Sequence, residues 1–241
     1  MRIAILSDIH SNLEALNAVV EHATSQGADH WWCLGDIVGY GADPDAVVDK
    51  VRELAAVTVA GNHDWAACGL ISTRQFNRHA AQAADWTSKH LSADNTAWLA
   101  ALPLVERREG ALLVHATPSA PSEWHYCMMI EDALEEMDAF TEAQCFIGHS
   151  HYPGAFEKEG EDIRYTRAAE IRLRPGRKYL VNVGSVGQPR DGDPRAAYAF
   201  YETTTGLLQH MRVTYDVEAA QKKILAAGLP PFLASRLAAG D

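Results

Sequence analysis

The sequence predicts an α/β fold with an antiparallel portion. Short apolar runs alternate with amphipathic segments in the first half of the chain, and strand candidates crowd together in the second half. The 241 residues are 47% hydrophobic and 22% charged, which suits one sizeable domain with its own core. Because no repeat or linker divides the chain, we predict a single domain over residues 1–241, with helices from about residue 217 packed on it.

The first half of the chain alternates between the two kinds of element. Residues 2–6 form an apolar run that is too short for a helix, and residues 12–22 then place Leu13, Leu16 and Val19 on one helical face. The same reasoning predicts further strands at 31–34, 57–60 and 112–114, and helices at 45–54, 75–91 and 95–102.

The second half contains more strands than helices. The sequence predicts strands at 145–147, 179–183, 197–201 and 207–213, and helices at 131–140, 217–226 and 232–239. The charged stretch at 157–162 is expected to be a solvated loop between two strands.

Composition excludes several classes of function. Lys and Arg number 21 against 32 Asp and Glu, a formal charge of −11, so we expect no long nucleic acid and no membrane surface as a partner. The N-terminal segment turns acidic at Asp8, too early for a signal peptide, and no apolar run reaches the length of a membrane span. Cys33, Cys68, Cys127 and Cys145 lie far apart, which favours reduced thiols and a cytoplasmic location.

Metal-binding residue types follow five of the predicted strands. Because the carboxyl ends of strands form the ligand crevice in open α/β sheets, these residues are expected to converge. Each segment alone has an ordinary interpretation, either as a surface turn or, for His115, as a core histidine, but together they favour a metal site. The five segments are Asp8-Ile-His10, Gly35-Asp36, Gly61-Asn62-His63-Asp64, His115 and Gly148-His149-Ser150-His151.

This set of motifs resembles the signature of the calcineurin-like metallophosphoesterases, from residue 3 to about residue 190. The segments that begin at Asp36 and at Asn182 look like those of the small bacterial branch described as YfcE-like or diadenosine-tetraphosphatase-like. The resemblance implies a four-layer α-β-β-α sandwich with two mixed central sheets.

The resemblance also implies a ligand set for two divalent metal ions. Asp36 would bridge the two ions, and mixed nitrogen and oxygen ligands favour Mn²⁺, with Fe, Zn²⁺ or Ni²⁺ as alternatives. Two such ions beside two carboxylates leave a local charge of about +2, which attracts phosphate. The first ion would be held by Asp8, His10, Asp36 and His151, and the second by Asp36, Asn62, His115 and His149.

His63 matches the catalytic histidine of this family, which acts as a general acid or stabilises charge at the leaving-group oxygen. Many members carry an Asp that orients this histidine, but Gly39 occupies its place here, and Asp43 and Asp64 are the possible substitutes. Arg190 is a candidate phosphate ligand; the alternative is a surface ion pair with Asp191 or Asp193.

Two further segments have open interpretations. Trp124, His125 and Tyr126 are either a lid or stacking surface for the substrate, or ordinary packing residues. The segment from Gly184 to Gly187 is interpreted as a loop whose backbone comes near the site, because its spacing does not match that of a nucleophile loop.

The implied activity is that of a phosphohydrolase that uses a metal-bridging hydroxide. A phosphodiesterase that acts on a small or nucleotide-like phosphoester is the leading hypothesis. A phosphomonoesterase or a dinucleoside-polyphosphate hydrolase is the nearest alternative, and a non-catalytic protein-binding scaffold is an alternative of another class. The substrate, the native metal and the oligomeric state are left open by the sequence.

Overall fold

A computed structural model of the protein describes residues 1–55 and 57–241. Within these residues twelve strands form two sheets. The strands are β1 (Arg2–Leu6), β2 (His30–Cys33), β3 (Val57–Thr58), β4 (Val105–Arg108), β5 (Ala111–Val114), β6 (Gln144–Ile147), β7 (Gly154–Glu159), β8 (Asp162–Thr166), β9 (Glu170–Arg172), β10 (Lys178–Asn182), β11 (Ala196–Glu202) and β12 (Leu207–Val213).

Eight α-helices and one short 3₁₀ turn, Thr73–Gln75, complete the described part of the chain. No helix in that part is both long and apolar enough to cross a membrane. The helices are α1 (Leu13–Ser25), α2 (Pro44–Leu54), α3 (Asn62–Ala67), α4 (Arg78–His90), α5 (Ala93–Ala100), α6 (Ile130–Glu136), α7 (Val217–Ala226) and α8 (Pro231–Ala239).

Both sheets have six strands and mixed direction. The first has the order β3-β2-β1-β11-β12-β9, in which β1, β2 and β3 are parallel and β11 is antiparallel to β1. The second has the order β4-β5-β6-β10-β7-β8, in which β5, β6 and β10 are parallel. The two parallel groups contain the strands that precede the predicted metal-binding segments.

The sheets and helices form four layers. Alternate residues of β1, β2, β6 and β10, among them Ile5, Trp32, Phe146 and Val181, make a buried cluster between the two sheets. The opposite face of the first sheet packs on α1 and α2, and that of the second sheet packs on α6. The predicted α-β-β-α sandwich with two mixed sheets is therefore confirmed.

The C-terminal helices α7 and α8 pack against α4 and against Tyr40, which lies in the segment that follows Asp36. Ile224 of α7 and Leu233 and Leu237 of α8 form one buried cluster with Ala83 of α4 and with Tyr40. The apolar faces of α7 and α8 are therefore covered by the rest of the chain.

Three predicted elements are wrong in extent. The charged turn predicted at 157–162 is confined to Gly160 and Glu161, since Glu157 to Glu159 complete β7 and Asp162 begins β8. Its charges fit a hairpin at the sheet edge, whose outer face meets water. The predicted helix 75–91 begins only at Arg78, because Phe76 is extended and Asn77 caps α4. The helix predicted to reach residue 140 ends at Glu136.

Candidate metal centre

Six of the seven predicted ligands lie in two groups of three at the carboxyl ends of the parallel strands. All six are buried, and the candidate ligand atoms of each group lie within 4.8 Å of one another. The seventh, Asn62, is the first residue of α3, which begins just beyond the end of β3. The first group is Asp8, His10 and His151, and the second is Asp36, His115 and His149.

Asp36 lies between the two groups. Its Oδ2 is 3.7 Å from His10 Nε2 in the first group and 3.3 Å from His115 Nε2 in the second. Its Oδ1 accepts a hydrogen bond of 2.8 Å from the backbone N–H of His63, which fixes the carboxylate plane. One carboxylate oxygen therefore faces ligand atoms of both groups.

Backbone carbonyls orient three of the histidines. The Nδ1 atoms of His10, His115 and His151 each lie within hydrogen-bonding distance of a buried carbonyl oxygen. A neutral imidazole that donates from Nδ1 presents an unprotonated Nε2, the form that binds a metal. The carbonyls belong to Val38 at 3.0 Å, Leu34 at 2.7 Å and Gln188 at 2.5 Å.

Several buried polar atoms of this cluster have no hydrogen-bond partner among the described residues. Such atoms are rare, because leaving a buried donor or acceptor unsatisfied costs about 1–3 kcal/mol. The four atoms expected to be ligands would be satisfied together by cations, so the residues present fit a divalent metal centre. They are Asp8 Oδ1, Asn62 Oδ1, His115 Nε2 and His149 Nε2.

The electrostatics of the cluster favour a positive charge between the carboxylates. Burial by itself raises the pKa of Asp36, but His115, His63 and His10 outweigh it and hold that pKa well below its usual range. Burial also disfavours a charged His115, yet Asp36 and then Asp8 raise the pKa of His115 to about 9, so a metal ion would have to displace the proton from Nε2 when it binds. Mainly through burial, the pKa of His149 falls to about 3, so that it is neutral and free to coordinate.

Backbone strain is concentrated at this cluster. Nine non-glycine residues of the described chain have a positive φ, and all but Glu109 lie in the site or against it. Such conformations cost about 1–3 kcal/mol each and persist where the surroundings enforce them, typically at functional sites. Five of these residues are expected ligands: Asp8, His10, Asp36, His149 and His151.

The backbone of the segment from Gly184 to Gly187 comes near the site, as the sequence predicted, and it also holds the loop that contains Asp8 in place. Ser185 Oγ and the N–H of Gly187 both donate to the carbonyl oxygen of Asp8, at 2.8 and 2.9 Å. A Cβ at Gly187 would overlap the carbonyl of Ile9. The glycine therefore permits this close approach of two loops.

His63 lies against Gly39, and among the described residues neither proposed carboxylate substitute forms a hydrogen bond with its imidazole. A Cβ at Gly39 would stand 2.6 Å from His63 Nδ1, and φ at this glycine is +92°. Asp43 pairs with Lys223 at 2.7 Å. Asp64 instead accepts hydrogen bonds from the backbone N–H groups of residues 37, 38 and 61, so it fastens α3 to the Asp36 loop.

Aromatic packing orients His63 in place of a carboxylate. The Tyr40 ring lies 4.4 Å from the His63 ring and 4.6 Å from the His10 ring. Phe76 contacts His63 from another direction, at 4.9 Å. Burial, opposed by Asp36 and assisted by Arg190, lowers the pKa of His63 to about 4, so the ring is neutral near pH 7.

Arg190 points to the site rather than to the surface acids. Its Nη2 donates to Gln188 Oε1 at 3.0 Å and lies 3.4 Å from the Tyr40 hydroxyl. The alternative pairs do not form, because Asp191 pairs with Arg167 and Arg212, and Asp193 with Arg195. Arg190 therefore supplies a positive charge beside His63.

A cleft of about 380 Å³ opens beside the cluster and contains residues that the sequence left undecided. Trp124 and Tyr126 line it, whereas His125 does not. Sequence reasoning missed Phe76, another lining residue, because it lay within a predicted helix. The only local signal was Asn77, a residue type that begins helices.

Buried aspartate and histidine groups at the strand ends of a two-sheet sandwich are the features of a metal-dependent phosphoesterase, and the comparisons with known proteins agree. Residues 1–206 match the calcineurin-like phosphoesterase superfamily domain, so the chain belongs to that superfamily and is a metal-dependent phosphoesterase.

Three proteins match the chain over nearly its full length and nearly theirs. The crystal structure of a metallophosphoesterase from Sphaerobacter thermophilus is 39% identical, with a TM-score of 0.89 over 100% of this chain and 99% of that one. An uncharacterized protein of Methanocaldococcus jannaschii is 40% identical over 99% of this chain and 98% of its own length. A hypothetical protein of Pyrococcus horikoshii shares the fold at 19% identity, with a TM-score of 0.80 over 100% of this chain and 98% of that one.

Proposed function

We propose that the protein is a dinuclear phosphodiesterase that cleaves small or nucleotide-like phosphoesters. The observation that carries the proposal is the position of Asp36, whose Oδ2 faces His10 and His115, one from each ligand group. The first ion would be held by Asp8, His10, Asp36 and His151, and the second by Asp36, Asn62, His115 and His149.

Two bound divalent ions would neutralise phosphoryl oxygens and activate a water as nucleophile, and Mn²⁺ is the metal we expect. The protein itself provides ligands fixed by buried backbone contacts, so little reorganisation accompanies binding. His151 is held through Gln188, and Asp8 accepts the backbone N–H of His149 through Oδ2 at 3.0 Å. Fixed ligands of this kind support precise positioning of the phosphoester.

His63 and Arg190 are the side chains proposed to act on the substrate. His63 borders both the ligand cluster and the cleft, so its ring faces the place where a leaving group would depart. There its neutral ring would donate an N–H hydrogen bond that stabilises the charge developing on the leaving oxygen. Arg190 would bind a phosphoryl oxygen through its planar fork of N–H groups.

The charges around the cleft favour a diester over a monoester. Among the described residues that line the cleft there is no Lys or Arg, and Arg190 lies beside one of them, with its Nη2 3.4 Å from the Tyr40 hydroxyl. A phosphodiester carries one negative charge, which the single positive charge of Arg190 matches, whereas a phosphomonoester carries up to two. The cleft also leaves room for the second ester group.

The broader setting of the activity is also a proposal. We propose that the whole chain works as one catalytic domain on a small phosphoester, in the cytoplasm. The free cysteines support that location, because Cys33, Cys127 and Cys145 are buried thiols and not disulfides.

A paired assay tests the proposed function. Protein reconstituted with Mn²⁺ is given bis(p-nitrophenyl) phosphate and p-nitrophenyl phosphate, with a chelated sample as control. A diester preference that chelation abolishes is expected. A monoester preference would assign the protein to the phosphomonoesterases, and turnover that survives chelation would overturn the metal-dependent mechanism.

A further inference from the structure

Aromatic side chains form the walls of the cleft beside the metal centre. Phe76 lies against the ring of His63, with centroids 4.9 Å apart, and Tyr126 stacks on the ring of His149 at 4.2 Å and 18°. The two histidines thus anchor one aromatic ring each. Tyr126 nevertheless remains 52% exposed, so much of its surface is open to a ligand.

Trp124 adds a third aromatic ring, and its position is fixed. It meets the edge of Trp65 at 5.4 Å, and its backbone has a φ of +59°, which is uncommon for a bulky residue. We name this feature, lined by Phe76, Trp124 and Tyr126, the aromatic cleft. Its volume of about 380 Å³ is within the range of small-ligand sites, about 300–1,000 Å³.

The polar groups of the aromatic cleft suit a neutral ring that has hydrogen-bond donors and acceptors. Gln75 and Asn77 contribute amides, and Glu123 contributes a carboxylate. The carboxylate would accept from an N–H group, and it would repel a further phosphate. Nucleobases combine a planar π face with such edge groups, and aromatic side chains stack on them.

We infer that the aromatic cleft binds an uncharged planar ring of nucleobase size, joined to the phosphoester through a sugar. The substrates would then be phosphoesters of nucleosides, held by the metal centre at the phosphate and by Phe76 and Tyr126 at the base. This substrate class rests on the proposed function, because the phosphate must bind at the Asp36 centre for the base to reach the cleft.

Binding measurements test the ring site separately from turnover. Dissociation constants of Mn²⁺-loaded protein are measured by calorimetry for inorganic phosphate, ribose 5-phosphate and AMP, of which AMP alone carries a base. Stacking of one base predicts that AMP binds about 5- to 150-fold more tightly than ribose 5-phosphate.

Variants then locate the base. Phe76→Ala and Tyr126→Ala are expected to weaken AMP binding more than binding of ribose 5-phosphate or inorganic phosphate, so that the ratio of the AMP and ribose 5-phosphate affinities falls toward 1. Phe232→Ala is the matched control, because this aromatic residue is 45% exposed on α8 and lies outside the cleft.

The outcomes separate the two hypotheses. Equal affinity for AMP and ribose 5-phosphate would overturn the ring site, and so would an AMP advantage that survives in both cleft variants. If phosphate does not bind and bis(p-nitrophenyl) phosphate is not hydrolysed, the proposed function fails and the ring site fails with it. Phosphate binding and diester hydrolysis without an AMP advantage would remove the ring site alone.

Discussion

Replacing Gly39 by alanine tests whether the room that this glycine leaves is what positions His63. Gly39 stands where many members of the superfamily have an aspartate, and it packs directly on the imidazole. The added Cβ would lie 2.6 Å from His63 Nδ1 and 3.1 and 3.2 Å from two carbons of the same side chain. Either the imidazole ring of His63 or the loop that contains Asp36 and Gly39 must therefore move.

The size of the effect follows from these distances. An ordinary contact begins near 3.4 Å, so the imidazole has to retreat by about 0.8 Å. A displacement of about 1 Å costs about 10²-fold in turnover when the displaced group takes part in the chemistry. A φ of +92° adds strain of about 1–2 kcal/mol for alanine, which lowers the free energy of unfolding.

Steady-state hydrolysis of bis(p-nitrophenyl) phosphate and thermal unfolding are measured together on the variant. Gly176→Ala is the matched control, because Gly176 has a φ of +80° but no atom within 4 Å of the added Cβ. It should lose similar stability and keep its turnover. If Gly39→Ala loses stability but keeps wild-type turnover, the position of His63 does not control the reaction and our reasoning is refuted.

Three further predictions concern single side chains. His63→Ala should keep two metals by elemental analysis and lose about 10²–10⁴-fold in kcat, with smaller losses for better leaving groups; equal losses for all leaving groups would contradict a role at the leaving oxygen. Arg190→Ala should raise KM about 10- to 100-fold. The KM of Arg190→Lys should lie between that of Arg190→Ala and that of the wild type, because lysine lacks the planar fork of N–H groups. An unchanged KM in Arg190→Ala would place Arg190 outside the site. Asp64→Ala leaves three buried N–H groups without their acceptor and should lower the free energy of unfolding by about 3 kcal/mol or more in urea titrations, and a loss below about 1 kcal/mol would show that water replaces the carboxylate.

The location of the candidate metal centre could be predicted because the segments that contain its residues follow short apolar strands. Parallel strands place their carboxyl ends at one edge, so Asp8 and Asp36 had to be neighbours once β1 and β2 paired in parallel. The sequence also contained Gly39, but its role could not be predicted from composition. That role depends on the 2.6 Å approach to a ring from α3, a contact between residues 24 positions apart.

Other features depended on tertiary context. The charged residues of β7 resembled those of a loop because local pattern does not show that a hairpin lies at a sheet edge. The place of Phe76 outside α4 could not be predicted, because the apolar periodicity of the helix continues back through this residue. In the structure Asn77 caps the helix and Phe76 precedes it. The aromatic cleft joins residues from two distant loops, so only the folded chain shows that Phe76 and Tyr126 share it.

The most direct test of the central claim is anomalous diffraction from crystals of the Mn²⁺-loaded protein, with the Asp36→Asn variant measured in parallel. Our account predicts two manganese ions per chain that share Asp36, and lower occupancy with loss of turnover in the variant. A single ion, two ions that do not share Asp36, or full activity with two ions bound in Asp36→Asn would contradict it.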